Sequence, residues 1–249
     1  MYDLEPVVDG FPGKSSTHGA VGWSSVHLLR GEGRVVLVET GPPAYAPLLA
    51  AGLERLGLGP GDVTDVLLTH SHWDHLANFP TFESARVWIG GRELAWAEGL
   101  PVGTPHQSSL HVAALTVRRG GLGLVSDGDE ACAGIEVLDV PGHTPGHVAF
   151  CVETGGGPVI FAGDSVKNVY ELTTGEVDMT LDAEASRASI ERLRSRMTDN
   201  DATLVPGHDV PLRLEGGRVV RVRPQGAQVT FFASAAGPED RSISDLPDG

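Results

Sequence analysis

Four side chains that commonly bind metal ions lie within six positions of the chain, at His70, His72, Asp74 and His75. They follow the apolar run 65–69, which is typical of a short buried strand. Because His70 and His72 are two positions apart in an extended segment, their rings point to the same side, and the next ligands can turn back as a helix begins. A lone histidine is more often a surface or hydrogen-bonded core residue, but this density indicates a metal site.

Three further residues with metal-binding side chains, His143, Asp164 and His208, have the same local setting. Each directly follows a glycine and stands two or three positions past a short apolar run that predicts a strand. In open α/β sheets, side chains converge on a ligand at the carboxyl ends of strands, because loops and helix N-termini open there. We therefore expect these three residues to join the cluster at 70–75 in one site.

The fold class follows from the alternation of short β-branched runs with longer helical patterns, which is typical of layered α/β architecture. The runs 24–29 and 34–38 are separated by two glycines and a glutamate and predict a hairpin. Asp182 predicts the N-cap of a helix at 183–197.

The chain has 249 residues, enough for one domain with a sizeable core. No internal repeat divides it, and we expect that domain to span residues 1–232. From Ala233 onward the sequence becomes small and polar, which predicts a flexible tail at 233–249.

The net charge of the chain limits the classes of partner that we expect it to bind. It carries 33 acidic and 18 basic residues, a formal net charge of −15. This charge repels phosphate backbones and anionic lipids, so we expect neither a nucleic acid nor a membrane as a partner.

The first residues lack the basic and apolar stretches of a signal peptide, so a cytoplasmic location is expected. The sequence carries no signal for an oligomeric state.

The ordered motifs resemble those of the metallo-β-lactamase superfamily. They are His-x-His-x-Asp-His at 70–75, Gly-His at 143, Gly-Asp at 164 and Gly-His at 208. The resemblance extends over about residues 24–211. It implies an α/β fold of four layers, an αβ/βα sandwich in which two sheets pack face to face, helices cover the outside and the metals lie at one edge.

The resemblance also implies a division of seven ligands between two divalent ions. These are His70, His72 and His143 for the first ion, Asp74, His75 and His208 for the second, and Asp164 between the two. Imidazole and carboxylate ligands suit zinc, with iron or manganese as alternatives. Seven ligands leave positions open on two ions, which is typical of a catalytic site.

Such a site predicts a metal-dependent hydrolase, lactonase-like or esterase-like, that acts on a small molecule. A metal-bridging hydroxide would attack an ester or lactone carbonyl. Asp74 would receive the proton and pass it to the leaving group. Lys167 and Tyr170, which follow the bridging Asp164 by three and six positions, would bind the developing oxyanion or a substrate carboxylate. The alternative for these two residues is a solvated loop.

Within the superfamily, three segments resemble the branch that contains N-acyl-homoserine lactonases: 69–75, 92–97 and 205–209. Two positions differ from the usual pattern. Lys167 stands where the lactonases have a tyrosine, and Glu39 begins the tripeptide that is usually Asp-Thr-Gly. A lysine beside the carbonyl suits an anionic substrate better than a neutral acyl lactone.

Three other functions remain open. A glyoxalase-II-like thioesterase is the first, but little sequence follows His208 to form the helical domain with which such enzymes bind glutathione. A phosphodiesterase or nuclease also suits two metals, although the negative net charge disfavours it. A metal-binding protein without catalysis is the third, and the complete ligand set disfavours it.

The substrate pocket is expected to have walls from 18–23 and from 100–115. The second wall belongs to the stretch 100–121, which is read as an irregular insertion because it has no clear period apart from a short helix at 110–117. Trp73 could wall the site or pack beneath it. His147 is expected to support the ligands or to pack near them.

Overall fold

The computed structural model describes residues 1–118, 121–235 and 237–243. Within these residues, the strands are β1 (Tyr2–Val8), β2 (Lys14–Ser15), β3 (Gly19–Ala20), β4 (Val26–Gly31), β5 (Arg34–Val38), β6 (Asp65–Leu68), β7 (Arg86–Gly90), β8 (Leu122–Val125), β9 (Ile135–Asp139), β10 (Val148–Thr154), β11 (Gly157–Gly163), β12 (Thr203–Pro206), β13 (Leu212–Glu215), β14 (Arg218–Arg221), β15 (Ala227–Ser234) and β16 (Gly237–Ile243).

The helices of the described residues are α1 (Ala46–Arg55), α2 (Trp73–Leu76), α3 (Gly91–Glu98), α4 (Ser109–Thr116), α5 (Val169–Thr174) and α6 (Ala183–Asn200), with short 3-10 turns at Pro43–Tyr45, Pro60–Asp62 and Phe79–Thr81. The predicted cap of α6 is confirmed, because the Asp182 side chain accepts hydrogen bonds from Glu184 N and Ala185 N. None of the described helices combines the length and the apolar character that crossing a membrane requires.

The main sheet of the fold consists of two half-sheets. The first has the strand order β1-β4-β5-β6-β7-β8, and the second has the order β14-β13-β12-β11-β10, with β9 also paired to β10. They are joined edge to edge where β1 meets β10, at the single pair Tyr2 and Thr154. The predicted hairpin is β4 and β5, and its turn has positive φ at Glu32 and Gly33, as a tight two-residue connection requires.

Alternating side chains on the strands produce three apolar layers. On β6, Val66 and Leu68 belong to a first outer core with α1, α3 and α4, whereas Leu67 points into a core between the half-sheets. On β11, Phe161 also points into that inter-sheet core, and Ile160 belongs to a second outer core with α5 and α6. Helices, sheet, sheet and helices follow one another, so the predicted four-layer αβ/βα sandwich is confirmed.

Strands from both half-sheets end at the same edge of the sandwich. β5 and β6 run parallel, and β11 and β12 run parallel in the other half. The chain leaves β6 just before His70, β11 just before Asp164 and β12 two residues before His208. The architecture therefore brings side chains from distant parts of the sequence to this edge.

The end of the described chain forms a separate hairpin, in which β16 pairs with β15 from Ala227 and Ile243 to Ser234 and Gly237. Regular structure thus continues past Ala233, where the sequence predicts a tail, because the backbones of β15 and β16 pair with each other. Residues 244–249 of the expected tail lie outside the described residues, and the division into a domain at 1–232 and a tail stays a prediction.

We expect Phe150→Ala to lower the free energy of unfolding by about 3–5 kcal/mol, because Phe150 is fully buried in the inter-sheet core. Urea denaturation followed by circular dichroism measures the change. Phe232→Ala is the matched control, since Phe232 is 82% exposed on β15 and its removal should cost less than about 0.5 kcal/mol. Equal effects of the two variants would contradict this description of the core.

Candidate metal centre

The segment between β6 and α2 presents four clustered side chains because the backbone changes conformation there. His72 is the N-cap of α2 and is extended, with φ −68° and ψ 148°. The rings of His70 and His72 lie 4.7 Å apart. The turn of α2 then brings Asp74 and His75 back, so that the rings of His70 and His75 are separated by 4.2 Å.

The structure brings His143, Asp164 and His208 to the same place from the second half-sheet. His143 Nε2 lies 2.9 Å from His72 Nδ1. Asp164 Oδ1 lies 3.1 Å from His75 Nε2 and 3.2 Å from His208 Nε2. The other oxygen, Asp164 Oδ2, lies 3.4 Å from His143 Nε2. The carboxylate of Asp164 therefore lies between two groups of histidines.

Three overlapping sets of side chains in this cluster could hold a metal ion. In each set, one ligand atom of every member lies within 4.8 Å of the others. The sets are His70, His72 and His143; His70, His75 and Asp164; and Asp74, His75 and His208. Every one of the seven ligands expected from the sequence belongs to at least one set.

The central atoms of the cluster fit divalent cations. His70 Nε2, His75 Nε2 and Asp164 Oδ1 are buried and make no hydrogen bond within the described residues. An unpaired buried polar atom costs about 1–3 kcal/mol, a cost that coordination of a cation removes. Ligand atoms around a tetrahedral zinc ion lie about 3.3 Å apart. The distances of His143 Nε2 from its two neighbours, 2.9 and 3.4 Å, are close to this value.

The first set is held in the protonation state that binds metal. Burial lowers the pKa of His70 and His143 well below its usual value and lowers the pKa of His72 to about 4. Repulsion by neighbouring imidazoles lowers the pKa of His70 further. All three rings are therefore neutral at pH 7, and neutral imidazole is the form that coordinates a metal ion.

The second set favours positive charge. Burial by itself lowers the pKa of His75 and His208. The negative charges of Asp164 and Asp74 outweigh burial and raise both pKa values. For Asp164, burial raises the pKa, but attraction to the surrounding histidines outweighs it and lowers the pKa well below its usual value. A divalent ion would replace the protons on this side of the cluster.

Glu39 supports the cluster from the end of β5, where the resemblance would place an aspartate. Its Oε1 accepts a hydrogen bond from Thr69 N at 2.9 Å, and its Oε2 lies 3.5 Å from His75 Nδ1. The backbone of Glu39 has a φ of 63°, which is uncommon for a residue other than glycine. Glu39 thus connects the strand before the ligands to a ligand ring.

His147 packs beneath the ligands, in agreement with its expected role. Its Nε2 accepts a hydrogen bond from Asp164 N at 3.1 Å, and its ring stacks on His70 at 4.8 Å. Burial lowers the pKa of His147 to about 3, so the ring is neutral and can accept this hydrogen bond.

Asp209 anchors the neighbouring His208 in a buried network. The Asp209 carboxylate pairs with Arg221 Nε at 3.0 Å and accepts hydrogen bonds from Gln225 Nε2 at 2.9 Å and Val169 N at 3.1 Å. Loss of one partner of a buried ion pair costs about 3–5 kcal/mol. The network therefore fixes the backbone on which His208 stands.

A cavity opens beside the cluster and includes several of the ligands in its lining. Its other walls include Phe11, Lys14, Trp73, His106, Lys167 and Met179. Trp73 thus walls the site. Of the wall segments expected from the sequence, 18–23 contributes Gly22 and 100–115 contributes His106, and the expected Lys167 also lines the cavity. The walls at 11–14 and 178–179 were not expected.

Lys167 lies in the cavity wall and is held there by Glu171. Its Nζ is 3.0 Å from Glu171 Oε1, and its backbone N–H donates to Glu171 Oε2 at 2.7 Å. The carbonyl of Lys167 accepts a hydrogen bond from His208 N at 2.7 Å. These contacts connect the Lys167 side chain with the backbone of His208, a candidate ligand.

Tyr170 lies outside the lining of this cavity, and its expected contact with a substrate stays a prediction. Tyr170 is 59% exposed and is not part of the cavity lining. The rotation of α5 is the reason, because Val169 and Leu172 pack into the second outer core and turn the intervening side chain toward solvent.

An ion pair joins two of the cavity walls. Lys14 Nζ, on β2, lies 2.6 Å from Asp178 Oδ2, in the segment between α5 and α6. The two side chains are 59% and 67% exposed.

Several supporting residues have no recognisable signal in the sequence. Glu93 is 0% exposed and accepts hydrogen bonds from the backbone next to the ligands, yet the sequence shows it only as part of the segment 92–97. Glu39 and Asp209 were visible only as parts of tripeptide or pentapeptide motifs. Their carboxylates act across many positions of sequence, so no local pattern identifies their partners.

Comparison with known proteins agrees with the fold and the motifs. The chain is 30% identical to metallo-beta-lactamase domain-containing protein 1 of Xenopus laevis over 191 residues, which covers 76% of this chain and 72% of that protein. It is 26% identical to an N-acyl homoserine lactonase of a Bacillus species over 160 residues, 64% of this chain and 60% of the lactonase. It is 39% identical to a hydroxyacylglutathione hydrolase of Jannaschia over 111 residues, 43% of this chain and 35% of that enzyme.

Solved structures share the fold at low sequence identity. A metallo-beta-lactamase from Thermotoga maritima, described as putative, has a TM-score of 0.69 at 23% identity and covers 85% of this chain and 99% of its own. A dizinc quorum-quenching lactonase in complex with a product has a TM-score of 0.68 at 15% identity and covers 99% of both chains.

The model of the metallo-beta-lactamase superfamily matches residues 21–208, most of the chain and all seven candidate ligands. With the four-layer fold and the cluster of histidines and aspartates at its edge, this match shows that the chain belongs to the metallo-β-lactamase superfamily and is a hydrolase of that superfamily.

Proposed function

We propose that this protein hydrolyses an ester or a lactone of a small molecule with two divalent metal ions, zinc being the metal. The observation that carries the proposal is the convergence of seven histidine and aspartate side chains beside one cavity. Both half-sheets contribute to this cluster, and its central atoms make no hydrogen bond within the described residues.

The ligand assignment follows the three sets. His70, His72 and His143 would hold the first ion, Asp74, His75 and His208 the second, and Asp164 both. The central position of Asp164 supports its shared role, since its two oxygens approach histidines of different sets. Two ions in this set supply Lewis-acid chemistry, which polarises a carbonyl group and makes water acidic at neutral pH.

Two side chains of the protein would handle charge and protons around the reacting carbonyl. Asp74 is 14% exposed, and its Oδ2 lies 3.6 Å from His208 Nε2, so it can exchange a proton with a group in the cavity. Lys167 presents an ammonium group in the cavity wall, which can donate a hydrogen bond to a developing oxyanion or to a carboxylate of the substrate.

The cavity walls suit an ester with an apolar portion. Phe11, Trp73 and Met179 line the cavity, and Phe11 is fixed by an edge-to-face contact with Trp23 at 5.3 Å. An apolar wall displaces water from the reacting group and so strengthens the electrostatic interactions around it. The similarity to the Bacillus N-acyl homoserine lactonase supports a lactone as the substrate class.

We expect chelation to abolish turnover and zinc or manganese to restore it. Because the native state alone would bind the ions, restored metal should also raise the melting temperature, by the equivalent of about 2.7 kcal/mol at a concentration one hundred times the dissociation constant. Asp164→Ala should lose both metal and rate, whereas Asp199→Ala, on the exposed side of α6, should keep both. Metal content, melting curves and rates measure these effects, and full activity in metal-free protein would rule out the proposal.

A panel of lactones, thioesters, β-lactams and phosphodiesters tests the reaction class. We expect kcat/KM to be highest for a lactone or an activated ester. A thioesterase is the second candidate, because the chain also resembles a hydroxyacylglutathione hydrolase. Highest values for a glutathione thioester would favour that candidate, and highest values for a phosphodiester would contradict carbonyl chemistry altogether.

We expect Lys167→Met to lower kcat/KM by about one hundredfold, since removing a single oxyanion donor has an effect of this order. The variant also leaves the buried Glu171 without its ion-pair partner, so the double variant Lys167→Met, Glu171→Gln should show a similar loss with restored thermal stability. Arg187→Met, on the exposed face of α6, is the control. Rates and melting temperatures of all three variants are compared. An unchanged rate in Lys167→Met would remove this lysine from the proposed machinery.

A further inference from the structure

Glu93 is a buried carboxylate for which the proposed reaction has no use. It is 0% exposed and lies in the first turn of α3. Its Oε1 accepts hydrogen bonds from Ser71 N at 2.9 Å and from Ser71 Oγ at 2.7 Å, and its Oε2 accepts one from Gly146 N at 3.2 Å. One side chain thus binds two segments that are far apart in the sequence.

Both of these segments carry candidate ligands of the first ion. Ser71 stands between His70 and His72, and Gly146 follows His143 by three positions. The bonds from Ser71 N and Gly146 N involve backbone, so they act on the position of the main chain from which the ligand rings extend. The three rings can meet only if these two segments stay at a fixed distance, and Glu93 connects them directly.

The start of α3 is seated tightly against the second segment. A Cβ at Gly146 would collide with the backbone nitrogen of Glu93. A second contact of the same kind occurs one turn earlier, where a Cβ at Gly90 would lie 2.5 Å from the carbonyl oxygen of Gly146. Glycine at both positions therefore permits the close approach that brings Glu93 within hydrogen-bonding distance.

The charge of Glu93 also connects this residue with the candidate ligands of the first ion. Within the described residues, its carboxylate has neutral hydrogen-bond donors but no ion pair. Burial raises the pKa of Glu93, because an environment with little water disfavours the charged carboxylate. A divalent ion held by three neutral imidazoles brings uncompensated positive charge to the same region. Binding of the ion would stabilise the carboxylate, and the carboxylate would stabilise the bound ion.

We propose that Glu93 is a positioning residue for the first metal ion, which holds the segments of Ser71 and Gly146 so that His70, His72 and His143 share one ligand sphere. The inference rests on the proposed ligand set but not on the reaction that the site catalyses.

Glu93→Gln tests this role, because the amide keeps the shape of the side chain, removes its charge and replaces one acceptor by a donor. Glu98→Gln is the matched control, with the same substitution at the exposed end of α3. The chelator-treated proteins are titrated with Zn²⁺ against a chromophoric chelator and with Co²⁺ followed by visible absorption. Each measurement is repeated in a His208→Ala background, which weakens the second ion's ligand set.

We expect Glu93→Gln to weaken binding of the first ion by about 10- to 100-fold, the usual effect of residues that orient metal ligands, and to change the Co²⁺ spectrum. The melting temperature of the metal-free protein should stay close to that of the parent, and Glu98→Gln should match the parent throughout. Unchanged affinity in Glu93→Gln would overturn the proposal. An equal loss for both ions together with a lower melting temperature of the metal-free protein would also overturn it, since that pattern indicates a general structural role.

Ser71→Ala is a second variant that keeps the test decisive if Glu93→Gln does not fold. It removes one of the three donors and leaves the carboxylate and the Ser71 N–H in place. We expect a smaller loss of first-ion affinity in Ser71→Ala, and parental affinity would contradict the proposal.

Failure of the parent protein to bind metal would instead refute the ligand set. A parent that binds two ions but hydrolyses no lactone or ester would refute only the proposed reaction.

Discussion

Apolar packing between the two half-sheets is the interaction on which the candidate site depends. His70, His72, Asp74 and His75 come from the first half-sheet, and the other three candidate ligands come from the second. Side chains such as Leu67, Phe150 and Phe161 fill the space between these halves. The thickness of this layer sets how far apart the strand ends lie, and hence whether their ligands can meet. A cavity in this layer would lower stability, and relaxation around it would shift the strand ends that carry the candidate ligands.

The two sides of the candidate site favour different protonation states of histidine, because the carboxylates are not distributed evenly between them. The set of His70, His72 and His143 contains neutral rings whose pKa values are lowered by burial. On the other side, carboxylates raise the pKa of His75 and His208. Asp164 lies between the two sides, and the buried Glu93 lies behind the neutral one. In the proposed site, negative charge would therefore come from the ligands themselves on one side and from a supporting residue on the other.

The sequence predicts the ligand cluster well because its signals are local. The density of histidines at 70–75 and the glycine before each of the other ligands can be recognised without a structure. Tyr170 shows the limit, because its orientation depends on how α5 packs. Glu93 and Asp209 could not be assigned either, since their partners are distant in sequence. Neither β1 nor the cavity wall at 11–14 carries a sequence motif. Only the packed chain shows that the first segment is a strand and that the second lines the cavity.

The contact between Lys14 and Asp178 joins two walls of the cavity through charged groups that solvent reaches. Both side chains are mostly exposed, and an exposed ion pair contributes only about 0–1 kcal/mol. Thermal energy is of similar size, so this connection between two walls breaks and re-forms readily. Dissolved salt screens such a pair over about 10 Å at 0.1 M. This link between two walls of the cavity therefore weakens as the ionic strength of the solution rises, whereas the buried hydrogen bonds around the candidate ligands are screened much less.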